Sequence, residues 1–288
     1  MRSLRNVVPL ALTLVASGCL AARAVESSAP SELPAAFTHG TSLIDGISLA
    51  WAERPGVEPA LVLIPGTFND CRIYSQVVVG LDPTRRTILI EHAGHGRSWP
   101  PDKHASIERS AAHVTSVLDR LEIDSCFLGG HSLGGMVAME AGRRHPDRFR
   151  GIISIEGWTN SRSAFAAFQG DMTSSLSPAA RGRIDAHRHE NASRWPEAAR
   201  QAFSQIWTKW DGSAFMRETD LPVLQLYGDR AKPRPSAESL GIPERSNIRL
   251  QWIPGASHWL PVEEPAPVAA AIEAFIADAE GLAIRPPR

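Results

Sequence analysis

Short apolar runs recur along this chain, and segments with helical spacing separate them. That alternation restricts the fold more than any other feature. "PALVLIPG" (59–66), "RRTILIEHAG" (85–94), "DSCFLGG" (124–130) and "RGIISIEG" (150–157) each contain a compact apolar stretch that ends in turn residues. Strands covered on both faces read as continuous hydrophobic runs rather than as alternating ones. Between them, "SIERSAAHVTSVLDRLEI" (106–123) places apolar residues at Ile107, Ala111, Val114, Val117, Leu118 and Leu121, the spacing of a helix face. "LGGMVAMEAGRRHPDRF" (133–149) opens a further helix, which stops near Pro146. Strands that alternate with helices predict an α/β fold, a mostly parallel sheet with helices on both faces. "TSLIDGISLAW" (41–51) departs from this pattern and predicts a hairpin turning at Asp45-Gly46.

The alternation stops after Gly157. Residues 158–220 show no strand pattern, carry Trp158, Trp195, Trp207 and Trp210, and include helical stretches such as "PEAARQAFSQIW" (196–207). A segment of this length is too long for a plain loop, so a helical cap is expected over 158–220. It interrupts a core predicted over 37–157 and 221–284. The sheet resumes with "LPVLQLYG" (221–228) and "NIRLQWIPG" (247–255). A last helix follows, with Val268, Ile272, Phe275 and Ile276 on one face.

Composition bounds the partners. The 288 residues are 43% hydrophobic with a formal net charge of -1, enough for a sizeable core and without the one-signed field that nucleic-acid partners require. There is no internal repeat, heptad run or low-complexity tract. At the N-terminus, Arg2 and Arg5 precede an apolar run from Val7 to Ala22, and Ala22-Arg23-Ala24 fits an A-x-A cleavage site. Residues 1–24 therefore predict a secretory signal and a periplasmic or secreted protein, with an uncleaved anchor as the alternative. The run is short for a membrane span and contains Pro9. "ASGC", ending at Cys19, resembles a bacterial lipobox with Ala16 where a larger aliphatic is usual, so membrane attachment is expected only if Cys19 is lipidated. Cys71 and Cys126 are expected as two buried free thiols rather than a bridge.

Gly130-His131-Ser132-Leu133-Gly134 matches G-x-S-x-G between a predicted strand and a predicted helix. In that context the glycines permit a tight turn that projects the Ser132 hydroxyl from the sheet as a nucleophile. "LIPGTFND" (63–70) follows a buried strand and exposes the backbone N–H of Thr67 or Phe68. With the N–H of Leu133 it would form an oxyanion hole. His258, in "WIPGASHWLPVEEP" (252–265), follows the last predicted strand, where the base for such a serine belongs. Other polar clusters read as structural. "HAGHGRS" (92–98) is a turn near the site, and His92 and His95 have no Cys or carboxylate cluster to complete a metal site. His187-Arg188-His189-Glu190 reads as a solvated helix face. Asn191-Ala192-Ser193 is a glycosylation sequon by letters only. No metal or cofactor is expected.

With "PGT" (65–67), "GHGRS" (94–98), "GHSLGG" (130–135) and "GASHWLP" (255–261), the chain from about Phe37 to Gly281 resembles the α/β-hydrolase superfamily. The resemblance implies a Ser-His-acid triad in the order serine, acid, histidine. In many members the acid stands about three residues beyond a glycine after the post-cap strand; here that position is Ala231. Asp229, one residue past Gly228, is one candidate. Haloalkane dehalogenases instead carry the acid after the strand that follows the nucleophile's helix, and that position is Glu156, 24 residues past Ser132. Glu156 is favoured, because a charge at the tip of an apolar strand needs a partner; Asp229 is the alternative.

Dehalogenases and epoxide hydrolases use an aspartate nucleophile, and Ser132 argues against both activities. The resemblance implies hydrolysis of a carboxylic ester or related acyl compound through an acyl-enzyme. The tryptophans of the cap suggest an apolar or aromatic small-molecule substrate. Other serine chemistry in the superfamily is the alternative (carbon–carbon hydrolysis, lactone opening, peracid formation, acyl transfer), and beyond it a ligand-binding member without turnover.

Overall fold

A computed structural model describes residues 32–168, 172–173 and 176–281. The predicted signal segment 1–24, with Cys19, and residues 282–284 at the end of the predicted core lie outside them.

Eight strands form one sheet: β1 (Thr38–Ile44), β2 (Ile47–Arg54), β3 (Val57–Ile64), β4 (Arg85–Ile90), β5 (Cys126–His131), β6 (Phe149–Ile155), β7 (Val223–Gly228) and β8 (Ile248–Ile253). Their order is β1-β2-β4-β3-β5-β6-β7-β8. The hairpin forms as expected: Ile44 faces Ile47, and Asp45 and Gly46 have φ of 51° and 77°, the left-handed pair of a two-residue turn. β2 runs antiparallel to β4, and β3 to β8 are parallel.

The central strands β3 to β7 are buried on both faces because helices cover both. α2 (Ile107–Arg120) and α3 (Leu133–Arg144) lie on one side; α1 (Val77–Gly80), α8 (Leu260–Glu263) and α9 (Pro265–Ala279) lie on the other. The pleat divides the strand side chains between two cores. Val62 and Ile64 of β3 join Val114, Val117 and Met136, whereas Leu61 and Leu63 join Val77, Val268, Ile272 and Phe275. Each such buried side chain contributes about 1.5–3 kcal/mol. Ser106 starts α2 by accepting a hydrogen bond from Arg109 N–H. Cys71 and Cys126 are buried free thiols.

The chain leaves β3 toward β4 and returns to β5 on the other side of β3. In a parallel sheet such a reversal opens a crevice beyond the carboxyl ends of the strands. Those ends deliver 65–68 after β3, Ser132 after β5, Glu156 after β6, and, a few residues past β8, His258.

Between β6 and β7 the described residues are helical: α4 (Ser161–Phe168), α5 (Pro178–Ala192), α6 (Glu197–Ser204), a 3-10 turn (Ile206–Lys209) and α7 (Ser213–Glu218). α7 packs on α3. Ser177 caps α5 and Pro178 opens it. The inner face of α5 is Ile184, His187 and Asn191. Asn191 Oδ1 accepts from Gly96 N–H at 2.6 Å, and its Nδ2 donates to Asp70 Oδ2 at 3.1 Å. Trp195 Nε1 donates to Gly94 carbonyl at 2.7 Å. The expectation of a solvated face at 187–190 is corrected in part. His187 is buried against Asp70, Arg188 is half-buried, and only His189 and Glu190 are exposed. Asn191, buried and bonded, presents no sequon at the surface.

Candidate active site

Ser132 occupies the single residue between β5 and α3, at φ 54° and ψ -118°. This is strained backbone for a residue with a Cβ, costing about 1–3 kcal/mol, and such residues concentrate at functional sites. The surroundings hold it there. Its N–H donates to Ile155 carbonyl at 2.8 Å, and its own carbonyl accepts from Gly135 N–H at 3.0 Å. Two glycines make the turn physically possible. A Cβ on Gly130 would lie 2.3 Å from the Gly134 carbonyl carbon, and one on Gly134 would lie 2.1 Å from the Ile64 oxygen. The N–H of Leu133, at the first position of α3, has no intrahelical acceptor to meet. That end of the helix favours negative charge. Thr67 and Phe68 line the cavity in front of it, and Phe68 sits at φ 53°.

His258 is buried with its Nδ1 3.1 Å from Glu156 Oε2. Because an ionised carboxylate only accepts, Nδ1 carries the proton, and the neutral ring keeps its lone pair on Nε2. Burial pushes the imidazole below its usual range; the bond and charge of Glu156 pull it upward, while the charges of Arg230 and Arg188 push it further down. The net shift leaves His258 neutral near pH 7, as a proton acceptor must be. Trp158 stacks on it at 5.6 Å between centroids with planes 19° apart. The loop itself is pinned by the residue before the serine. His131 Nε2 donates to the His258 carbonyl at 2.7 Å.

Glu156 follows β6 at φ 53°, completely buried. Gly228 N–H donates to its Oε1 at 2.7 Å, and Arg230 grips both oxygens at 3.3 and 2.7 Å. Burial alone would raise its pKa. The His258 hydrogen bond and the Arg230 charge outweigh burial and hold the carboxyl below the ordinary carboxylate range. Asp229 is directed elsewhere: it accepts from Ala231 N–H at 3.0 Å and Gly255 N–H at 2.7 Å and pairs with Arg234. The structure thus brings His258 to Glu156 and leaves Asp229 tying the turn after β7 to the turn after β8. Sequence reasoning missed Arg230. The signal was present: a carboxylate at the tip of an apolar strand requires a cation, and Arg230 stands two residues past Gly228.

Ser132, His258 and Leu133 share a cavity of about 180 Å³ with Thr67, Phe68, Asn69, Trp158, Phe168, Met172, Trp207 and Trp259. Arg188 and Ser204 complete its polar lining together with His131. His92 and His95 support this site from behind. His92 Nε2 donates to Pro65 carbonyl at 2.8 Å, and His95 stacks on Phe68 at 5.4 Å. Burial drives them down to about 4 and about 3, so both are neutral. Among the described residues no group of three or more His, Cys, Asp or Glu is placed to hold a metal ion.

A family model for the alpha/beta hydrolase fold matches residues 59–211. The chain is 27% identical over 125 residues to a putative carbamate hydrolase, RutD, of Azorhizobium caulinodans, covering 43% of this chain and 45% of that one. It is 30% identical over 122 residues to the sn-1-specific diacylglycerol lipase ABHD11 of Xenopus tropicalis, covering 41% and 37%. The chain thus spans less than half the length of these curated relatives. Among solved structures, a thermophilic esterase from Thermogutta terrifontis superposes with a TM-score of 0.67 at 21% identity, over 84% of this chain and 99% of that one. The family match, the sheet order and the serine turn together show that this chain belongs to the alpha/beta hydrolase fold family.

Proposed function

We propose that the protein is a serine hydrolase acting on a carboxylic ester or related acyl substrate, with Ser132, His258 and Glu156 as its triad. The observation that carries this reading is the 3.1 Å contact between His258 Nδ1 and the buried Glu156 carboxylate. It fixes the tautomer in which Nε2 accepts a proton, in a cavity that also holds Ser132. In the reaction, His258 Nε2 takes the Ser132 proton as Oγ adds to the substrate carbonyl. The Leu133 N–H, with that of Thr67 or Phe68, bonds the oxyanion. The tetrahedral intermediate collapses, and the leaving group departs with the proton from His258. Water, deprotonated by the same imidazole, then cleaves the acyl-enzyme. Glu156 stays ionised throughout and stabilises the imidazolium.

The relatives' names, carbamate hydrolase and diacylglycerol lipase, are consistent with attack on an acyl carbonyl. Cavity size narrows the substrate. About 180 Å³ is close to the roughly 150 Å³ that takes a benzene, so the enclosed group is about one ring in size, between aromatic walls. Ser132→Ala is expected to lower kcat on p-nitrophenyl acetate by about 10⁴-fold or more with the fold intact by circular dichroism; a variant with wild-type turnover would remove Ser132 from the mechanism. Export through residues 1–24 is part of the same proposal, supported by the basic, apolar and small-residue order of that segment. N-terminal sequencing of the mature protein checks it.

A further inference from the structure

Arg188 is the one cationic side chain among the described residues that line the cavity, and no Asp or Glu lines it with Arg188. Its Nε is buried without a hydrogen-bond partner. Among the described residues, the one carboxylate that acts on its charge is Asp185, an exposed residue one turn earlier on the same helix. Three other arginines at this end of the sheet are paired with carboxylates. Arg230 is bound to Glu156, Arg72 to Asp70 and Glu190, and Arg234 to Asp229. The Arg188 guanidinium instead lies over the ring of Trp259, 5.5 Å from its centroid, against the wall beside His258. Holding a guanidinium half-buried against an aromatic ring, with an exposed Asp185 as its one carboxylate among the described residues and no ion pair to it, costs free energy that a structural role here does not return. An aromatic face offers a cation partial compensation and leaves the planar fork of donors unused.

We propose that Arg188 is a specificity residue for a substrate carboxylate, so that the natural substrate is a small anionic ester or acyl compound with about one ring or a short chain between the carboxylate and the scissile carbonyl. This deepens the serine-hydrolase reading and rests on it. A carboxylate matches the guanidinium fork with two parallel hydrogen bonds. In a desolvated site such a pair discriminates strongly against the neutral analogue, which leaves the cation unpaired. The charge of Arg188 also lowers His258 and His131. A bound anion relieves that repulsion and stabilises the imidazolium formed during catalysis.

The test uses matched ester pairs that differ only in carboxylate against carboxamide. Phenyl hydrogen glutarate and phenyl glutaramate place the group on the acyl side; 3-carboxyphenyl acetate and 3-carbamoylphenyl acetate place it on the leaving group. The wild type is expected to prefer the anion in one pair by at least tenfold in kcat/KM, mainly through KM. In Arg188→Gln that ratio is expected to collapse toward one, and Arg188→Lys is expected to recover part of it. Turnover of all four esters without preference for either anion, or an unchanged ratio in Arg188→Gln, overturns the proposal and leaves the hydrolase reading intact. Calorimetric titration of phenylacetate against phenylacetamide into the Ser132→Ala protein reads the anion site without chemistry. Preferential binding of phenylacetate, lost on adding Arg188→Gln, supports the site even if esterase activity is absent; equal binding overturns it.

Discussion

Glu156 is a buried carboxylate with three donors around it: the Gly228 N–H, the Arg230 guanidinium and His258 Nδ1. Glu156→Gln keeps the shape and removes the charge that stabilises the imidazolium. A kcat loss of about 10²–10⁴-fold is expected, by analogy with the loss when a triad carboxylate becomes an amide. Asp229→Asn is expected to stay within a few-fold of wild type, because its partners are the turns and Arg234. Steady-state kinetics on the folded fraction decide between them; the opposite ranking would move the acid to Asp229. Glu156→Gln also leaves Arg230 as an uncompensated buried cation, so its unfolding free energy is expected to drop by about 3–5 kcal/mol. In the proposed mechanism His258, held below the usual imidazole range chiefly by burial, must be unprotonated to act. Ester turnover is therefore expected to persist as pH falls through 6.5 and to decline only below the ordinary imidazole value; an inflection above pH 7 in kcat/KM would contradict the assignment. Much of this was legible one residue at a time. Gly130, Ser132 and Gly134 are marked by spacing, and Glu156 by the acid placement that the resemblance to haloalkane dehalogenases implies, at the tip of an apolar strand. The choice between Thr67 and Phe68 was not legible, because the donor is a backbone N–H and leaves no side-chain signature.

Helix α5 shows where element-level reading stops. The central strands were legible because each holds a compact, mainly apolar run that ends in turn residues, and α2 because its face repeats with helical period. α5 buries His187 and Asn191 beside Ile184, so its inward face is polar and carries no hydrophobic period. Its contacts with Asp70 and Gly96 come from two loops, after β3 and after β4, each more than ninety residues away in sequence, which no local pattern encodes. These contacts predict a stability effect. Asn191→Ala leaves the Gly96 N–H without its acceptor and removes one of the donors to Asp70, and is expected to cost about 1–3 kcal/mol. A urea midpoint unchanged from wild type would show that α5 is held by other contacts. Asn191→Asp is a useful contrast, since it keeps the acceptor for Gly96 and sets a second carboxylate against Asp70.

At the scale of the whole molecule, three histidines around the site are buried in the neutral form: His92 at about 4, His95 at about 3 and His131 at about 3. Unfolded, each titrates near 6.5. The folded chain therefore binds fewer protons below that value. Their contribution to stability is complete above about pH 6.5 and is lost as pH falls toward 4 and 3. Glu91 acts in the other direction. Burial raises it to about 7, so its contribution is present below its unfolded value of 4.5 and is lost as pH rises through 7. Between 4.5 and 6.5 the histidines outnumber it, and the melting temperature is expected to fall from pH 7 to pH 4.5; a rise over that interval would contradict the buried-neutral assignment. The parallel sheet brings these groups, with Ser132, Glu156 and His258, to one edge beyond the carboxyl ends of β4, β5, β6 and β8, and in the proposed mechanism that convergence makes a nucleophile of Ser132. The most direct measurement is the site of covalent labelling. After reaction with a fluorophosphonate, peptide mapping by mass spectrometry should find one adduct, on Ser132, with none in Ser132→Ala and a much slower rate in His258→Ala. An adduct on another residue, or undiminished labelling of Ser132→Ala, would contradict the account.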